Sequence, residues 1–431
     1  MNLALSPSSL SGTVTVPPSK SLAHRAVIAA ALSKGDSEIQ NLALSNDIRA
    51  TMRAMENLGA VFSLSDAILA GQPGAVRVSG IQSSPQTVEI DCGESGSTLR
   101  FLIPVAAALG VSARFAGKGK LPERPIMPYL ESLPAKGITF DYANTMPFSI
   151  SGQLQSGTFV IDGGISSQFV TGLLFALPLL EQGGIIQIRG RLESKPYADM
   201  TMDVLGKFGI QIFEKHGESA QYIVEKCQNY TPCIYRIEND YSQAAFFGVA
   251  GALSGPITLV GLPENSRQGD RAIFDILQQA GAEVLRQGDT ITVSPGSLHG
   301  FSVDVSDIPD LVPVLTVLAC ACQGKTRMTG AARLKIKESD RLTAIADCLN
   351  RIGGHVRTGQ DWLEIDGGPR LSGGTVSSFN DHRIAMSAGI AALYADGPVI
   401  LQGAESVQKS YPGFWEDYKG LGGKADVVAL V

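Results

Sequence analysis

Apolar and polar positions alternate along the chain in two rhythms, and the alternation recurs six times. Short β-rich runs come first: Val14-Thr-Val, Val88-Glu-Ile, Phe159-Val-Ile, Tyr235-Arg-Ile, Val303-Asp-Val and Thr375-Val-Ser. Tight polar clusters follow, reading Pro18-Ser-Lys-Ser, Gly93-Glu-Ser-Gly-Ser, Gly164-Ile-Ser-Ser-Gln, Asn239-Asp-Tyr-Ser, Ser306-Asp-Ile-Pro-Asp and Asn380-Asp-His-Arg. An apolar stretch comes next in each case and predicts a helix. A second helix is expected to stop at glycine, in Leu58-Gly-Ala, Lys136-Gly-Ile, Phe208-Gly-Ile, Ala280-Gly-Ala, Ile352-Gly-Gly and Leu421-Gly-Gly. Glycine takes the left-handed conformation there without a Cβ clash. The period of roughly 70 residues exceeds the usual solenoid spacing of about 20–50, so each segment predicts a small α/β module of about two helices and several strands.

A chain of 431 residues is longer than the roughly 250–300 at which single cores stop growing, and six modules divide evenly into two domains of three. One continuous doubly wound sheet is the competing arrangement and makes no use of the even count. Crossings between domains are expected at Pro17-Pro18, where two prolines stiffen the chain, and around Ile237-Glu-Asn-Asp240. The expected domain I is discontinuous, residues 1–18 plus 239–431, and includes the N-terminal strand; domain II is 19–238, with a hinge near 17–19 and 237–240.

Each polar cluster sits where a strand turns into a helix, so backbone N–H groups and the positive helix end converge, as anion binding requires. One such cluster alone would read as an ordinary N-cap, but six in register, several with Lys or Arg, read as more. Lys20, Arg25, Arg100, Arg124, Lys337, Arg341, Arg383 and Lys409 lie in or beside these turns. Formal net charge is nevertheless −6, which argues for a local cationic set that binds small anions and against a basic nucleic-acid face.

Other function classes find no support. Hydrophobic residues are 44% and charged residues 18% of the chain, the composition of a soluble globular protein. The longest apolar run, Phe101 to Val111, is too short to span a bilayer. Met1-Asn-Leu-Ala-Leu-Ser-Pro lacks a basic start followed by an apolar block, so a cytoplasmic chain is expected. Six cysteines without a C-x-x-C do not read as a disulfide framework, and Cys320 and Cys322 fall in an apolar run that reads as core. P-loop, H-E-x-x-H and G-x-S-x-G motifs are absent, and Gly117-Lys-Gly-Lys-Leu-Pro lacks the third glycine and following helix of a dinucleotide loop. The five histidines are scattered, so neither a metal nor a cofactor is expected.

Taken together, Pro18-Ser-Lys-Ser-Leu-Ala-His-Arg25, Gly93-Glu-Ser-Gly-Ser-Thr-Leu-Arg100, Leu121-Pro-Glu-Arg-Pro125, Ser166-Ser-Gln168, Ser194-Lys-Pro-Tyr197, Ile308-Pro-Asp310, Lys337-Glu-Ser-Asp-Arg341 and Asp381-His-Arg383 resemble the 3-phosphoshikimate 1-carboxyvinyltransferase family of enolpyruvyl transferases. The motifs run in order from about residue 10 to residue 420, and K-E-S-D-R combined with D-H-R is specific. The resemblance implies an α/β (α+β) fold of two similar globular domains, each of three βαβαββ repeats in an inside-out α/β barrel, closing over a central cleft. It implies transfer of the carboxyvinyl group of phosphoenolpyruvate to the 5-hydroxyl of shikimate 3-phosphate, by addition and elimination, in aromatic amino-acid biosynthesis.

Carried over position by position, the resemblance gives Ser21 and Arg25 the shikimate carboxylate. Ser166, Ser167, Ser194, Tyr197 and Lys337 take its phosphate, and Gln168 lies against the ring. Lys20, Gly96, Arg124, Gln168, Arg341, Arg383 and Lys409 receive phosphoenolpyruvate, and Lys20 and Asp310 also contact shikimate 3-phosphate. Asp310 is the candidate base at the hydroxyl; Glu338 and Lys20 are candidates for the proton at the methylene carbon. Glu94, Arg333 and Lys335 depart from the common pattern, while Gly96, with Ser97 and Phe101 nearby, leaves room for compact phosphonates such as glyphosate. The expected partners are these two substrates alone, with no nucleic acid and no membrane, acting on a monomer. The alternatives are an enolpyruvyl transferase for UDP-N-acetylglucosamine, whose usual loop cysteine is missing between Gly117 and Pro125, and a non-catalytic phosphosugar-binding protein, which would be expected to lose Asp310, Glu338 or Lys20. RNA 3′-phosphate cyclase shares the repeat plan but needs nucleotide chemistry these motifs do not suggest.

Overall fold

The computed structural model describes residues 1–217 and 219–429, so residues 218, 430 and 431 of the expected domain ranges lie outside it. The chain divides into two compact units, Met1–Pro17 with Glu238–Val431, and Pro18–Ile237. No helix among the described residues is long and apolar enough to cross a membrane.

All six β-rich runs fall in or overlap strands, at Gly12–Thr15, Thr87–Asp91, Gly157–Asp162, Ile234–Arg236, Ser302–Asp304 and Gly374–Ser377. The polar clusters lead into helices Lys20–Leu32, Gly96–Ala108, Ser167–Ala176, Tyr241–Leu253, Val312–Ala321 and His382–Ala391. Second helices follow at Asn46–Asn57, Lys195–Lys207, Ile273–Gln279, Arg341–Asn350 and Phe414–Gly420. The second repeat departs from this plan: its helix is the short Met127–Ser132, finished by a 3-10 turn at Pro134–Lys136. Pro128 and Pro134 each lack the amide proton that would lengthen it. The stop glycines take positive φ as expected, from 82° at Gly209 to 110° at Gly59.

Strands form six four-stranded sheets of one plan. An opening strand runs parallel to the strand after the first helix; that strand pairs antiparallel with the last of the repeat, and the last with the third. Two opening strands complete sheets other than those of the repeats they precede. Gly12–Thr15 pairs with Ile257–Val260, and Ile234–Arg236 pairs with Asp36–Leu42. The sixth sheet takes its inner strand from Asn2–Ser6, between Val399–Gln402 and Lys424–Val428. Sequence periodicity groups a strand with the helix after it; hydrogen bonding separates them at both crossings, because the chain changes unit immediately after the strand.

Each unit has its own core. The six first helices are apolar almost all round: Tyr241–Leu253 buries every residue but its last, and Val312–Ala321 buries all of them. Such helices need partners on every side, which places them inside with the sheets around them. In the unit Pro18–Ile237, Gly172 lets helix Ser167–Ala176 approach helix Gly96–Ala108, since a Cβ there would collide with the Arg100 carbonyl and the Tyr129 hydroxyl. Cys320 and Cys322 are buried, and the six cysteines are free thiols.

Candidate active site

In the unit Pro18–Ile237 the candidate residues sit at the starts of helices. Ser19 caps Lys20–Leu32, and Lys20 Nζ lies 2.9 Å from Asp47 Oδ2, in the first turn of Asn46–Asn57. One turn on, Arg25 is 2% exposed. Its Nε donates to Thr201 Oγ1 at 2.8 Å, and its two terminal nitrogens donate to the Ser21 and Tyr197 carbonyls at 2.7 and 2.8 Å. No carboxylate pairs with it among the described residues. Burial pulls the Arg25 guanidinium down to about 10. The neighbouring His24 is held neutral by burial, its pKa pushed down to about 3, and its Nδ1 lies 2.7 Å from Thr51 Oγ1.

The next two helix starts are linked to each other. Ser95 caps Gly96–Ala108. Arg100 donates to Gln168 Oε1 at 2.7 Å and to the Pro125 carbonyl at 3.2 Å, and Gln168 Nε2 donates to Ser97 Oγ at 3.0 Å. Gly96 faces Arg124 so closely that a Cβ would come 2.7 Å from Nη1. Arg124 Nε is buried without a hydrogen-bond partner, and no carboxylate pairs with Arg124 among the described residues. Ser166 caps the helix that carries Ser167 and Gln168. Ser194 precedes helix Lys195–Lys207 with φ 54°, a left-handed conformation that is costly for serine and typical of functional sites.

The other unit gathers a charged cluster. Asp310, in the 3-10 turn Pro309–Leu311, accepts from Arg341 Nη1 at 2.8 Å and Arg383 Nη2 at 3.0 Å, with Lys337 Nζ 3.6 Å away. Arg341 also donates from Nε to Asp381 Oδ2 at 2.7 Å and from Nη2 to Oδ1 at 3.2 Å. Burial works against charge on Arg341, but Asp381, Asp310 and Glu338 outweigh it and hold the guanidinium above its ordinary value. Burial likewise opposes the charge of Asp381, and Arg341 overcomes it, keeping the carboxyl below the usual range. Asp381 in turn caps helix His382–Ala391 through the Arg383 amide at 2.9 Å. Glu338 Oε2 lies 2.8 Å from His382 Nδ1 and 3.6 Å from Arg341 Nη2. Lys409 Nζ donates to the Asn380 carbonyl at 2.6 Å. Lys337 is lowered to about 8, chiefly by burial and further by Arg333, Arg341 and Arg383, against the pull of Asp310.

Glu338, Asp381 and His382 could each offer an atom to a metal, within 4.8 Å of one another. Both Asp381 oxygens are already engaged by Arg341, which supplies the positive charge there. Sequence reasoning had not singled out Asp47, Thr201 or Asp270. Burial and the nearby Asp310 push the Asp270 carboxyl up to about 7, with Arg383 opposing. The cue for Asp47 was an acid in a capped first turn after Ser45; nothing local marks the other two.

Cationic side chains gather in each unit of this six-repeat α/β chain. The model of EPSP synthase (3-phosphoshikimate 1-carboxyvinyltransferase) matches residues 5–418. The chain belongs to the EPSP synthase family. The chain is 45% identical over 427 residues to the 3-phosphoshikimate 1-carboxyvinyltransferase of Clostridium kluyveri, with 98% of both proteins covered. It is 44% identical to that of Clostridioides difficile, covering 99% of this chain and 98% of the relative. Among solved structures, an EPSP synthase from Acinetobacter baumannii aligns with a TM-score of 0.79 and 26% identity over 99% of this chain and 100% of that one. The mixed α/β architecture expected for an EPSP synthase is therefore shared with solved members.

Proposed function

We propose a division of labour for the reaction that family membership gives this enzyme, transfer of the carboxyvinyl group of phosphoenolpyruvate to shikimate 3-phosphate with release of phosphate. Arg25 and Ser21 hold the shikimate carboxylate; Ser166, Ser167, Ser194, Tyr197 and Lys337 hold its phosphate, with Gln168 against the ring. Lys20, Gly96, Arg124, Arg341, Arg383 and Lys409 receive phosphoenolpyruvate. The observation that carries this reading is Arg25: a guanidinium 2% exposed, hydrogen-bonded to neutral oxygens only, is a buried cation prepared for an anion.

The same logic gives Asp310 its timing. Without substrate it is the counterion of Arg341 and Arg383. Once the carboxylate and phosphate of phosphoenolpyruvate draw on those guanidinium groups, their hold on Asp310 weakens and its basicity rises. Asp310 then takes the proton of the 5-hydroxyl as its oxygen bonds to the central carbon of phosphoenolpyruvate. Glu338 or Lys20 delivers a proton to the methylene carbon, giving a tetrahedral intermediate. The group that protonated the methylene carbon then takes a proton back from the methyl group as the carbon–phosphate-oxygen bond breaks, which restores the double bond, and phosphate leaves with the proton that Asp310 had taken. Excluding water strengthens each contact: a unit charge pair at 4 Å is worth about 4 kcal/mol at an effective dielectric of 20, against about 1 kcal/mol in water. The reading includes closure of the two units on substrate, and a monomer acting in the cytoplasm.

The test is acceptor choice. With phosphoenolpyruvate present, mass spectrometry is expected to find a carboxyvinyl product from shikimate 3-phosphate and none from UDP-N-acetylglucosamine; the reverse would overturn the reading.

A further inference from the structure

We propose that Glu214 and Asp199 are positioning residues that act through Lys195 to hold the turn 194–197 in shape for the phosphate of shikimate 3-phosphate. The proposal rests on the reading above, in which Ser194 and Tyr197 meet that phosphate. Lys195 Nζ lies 2.6 Å from Asp199 Oδ1 and 3.2 Å from Glu214 Oε2. Asp199 stands one turn along the same helix, Lys195–Lys207, whereas Glu214 comes from strand Ile212–Lys215. That strand pairs with Gln221–Val224, which pairs with Gly184–Arg189, the strand from which the chain enters the turn. The Lys195 side chain therefore ties the turn back to the sheet it has just left.

Helix propensity gives no reason for a lysine here. Lys195 is the first residue of its helix, where the positive helix end favours acidic side chains. A lysine placed four residues before an aspartate is also the less favourable order for such a pair. Glu214 makes up the difference. Its side chain is 19% exposed, so water screens its attraction for Lys195 less than at an open surface. Burial works against the charge of Lys195, but Asp199 and Glu214 outweigh it and hold the ammonium above its ordinary value. The exposed His216 approaches the other Glu214 oxygen, with Nε2 3.6 Å from Oε1.

This turn needs an anchor. A residue held in the left-handed conformation, as Ser194 is, persists there only where its surroundings over-determine it. The Tyr197 amide donates to the Ser194 carbonyl at 3.0 Å, which makes the turn one hydrogen-bonded unit. Its far end is held at the Tyr197 carbonyl, which accepts from Arg25 Nη2 and from Thr201 Oγ1, each at 2.8 Å. Lys195 holds the near end. Without that hold Ser194 relaxes, and its hydroxyl and the first amides of the helix lose the direction an anion requires. Charge alone acts the other way: removing a carboxylate near a phosphate site favours the phosphate. The sign of the change in KM separates the two effects.

The test uses the full chain with Glu214→Gln, Lys195→Met, both together, and Ser194→Ala, each checked by a urea midpoint. KM for each substrate is measured with the other saturating. Glu214→Gln and Lys195→Met are each expected to raise KM for shikimate 3-phosphate about fivefold, the worth of one charge-assisted contact. KM for phosphoenolpyruvate and kcat are expected to stay within about twofold, and the double variant to match Lys195→Met, since Glu214 acts through that lysine. An unchanged or lower KM for shikimate 3-phosphate in folded Glu214→Gln would overturn the proposal, as would multiplied effects in the double variant or a loss confined to kcat. Ser194→Ala separates the two levels: wild-type KM for shikimate 3-phosphate there would overturn the phosphate reading, and the proposal with it. A raised KM in Ser194→Ala beside wild-type values in Glu214→Gln would overturn the positioning role alone. Should Lys195→Met fail to fold, Asp199→Asn replaces it, with the same rise in KM expected and an unchanged KM counting against the proposal.

Discussion

Arg341 and Asp381 form a two-point ion pair, Nε to Oδ2 at 2.7 Å and Nη2 to Oδ1 at 3.2 Å, with side chains 2% and 0% exposed. Removing one member leaves a buried charge. Asp381→Ala also strips the cap from helix His382–Ala391. The expected cost is about 3–5 kcal/mol in urea unfolding. A loss under about 1 kcal/mol would show that Asp310 and Glu338 alone satisfy Arg341.

Gly96 makes a different prediction, because its constraint is the tip of a flexible side chain. A methyl group there meets Arg124 Nη1 at 2.7 Å and pushes it away without touching the core. Gly96→Ala is expected to leave the urea midpoint nearly unchanged while raising KM for phosphoenolpyruvate about tenfold, since a displaced guanidinium loses one good charged contact. Unchanged KM would remove Arg124 from the phosphoenolpyruvate site.

Lys337 gives the pH dependence a definite sign. Its pKa is lowered from 10.5 to about 8 by burial and by Arg333, Arg341 and Arg383, with Asp310 opposing. Raising the pH through 8 removes the positive charge proposed to meet the substrate phosphate, so KM for shikimate 3-phosphate is expected to rise. Stability moves the other way: between pH 8 and 10.5 the unfolded chain binds more protons at this group than the folded one, so Lys337 favours the fold increasingly as pH rises. Lys337→Arg keeps its charge and should flatten the KM profile near pH 8. An inflection that survives this substitution would belong to another group.

The repeat plan was legible in the sequence because each of its signals is local: a β-rich run, a polar turn, an apolar helix and a glycine stop. Even there the pattern attached Val14 and Tyr235 to the helices that follow them, whereas Gly12–Thr15 and Ile234–Arg236 complete the sheets of Ile257–Val260 and Asp36–Leu42. Strand pairing across more than 190 residues leaves no mark on the strand itself. Charged residues such as Arg341 and Asp310 stood out from their motifs, but their pairing did not. The counterion Asp47, the buried Asp270 carboxyl and the Thr201 hydroxyl under Arg25 depend on folding for their positions.

Phosphate release by the purified chain tests the central claim most directly, with phosphoenolpyruvate alone, shikimate 3-phosphate alone, and both together. Release is expected only with both, and Asp310→Asn and Lys20→Ala are expected to slow it by about 10²–10⁴-fold, the range for a lost proton-transfer group. Release from phosphoenolpyruvate alone, or wild-type release from Asp310→Asn, would contradict the account.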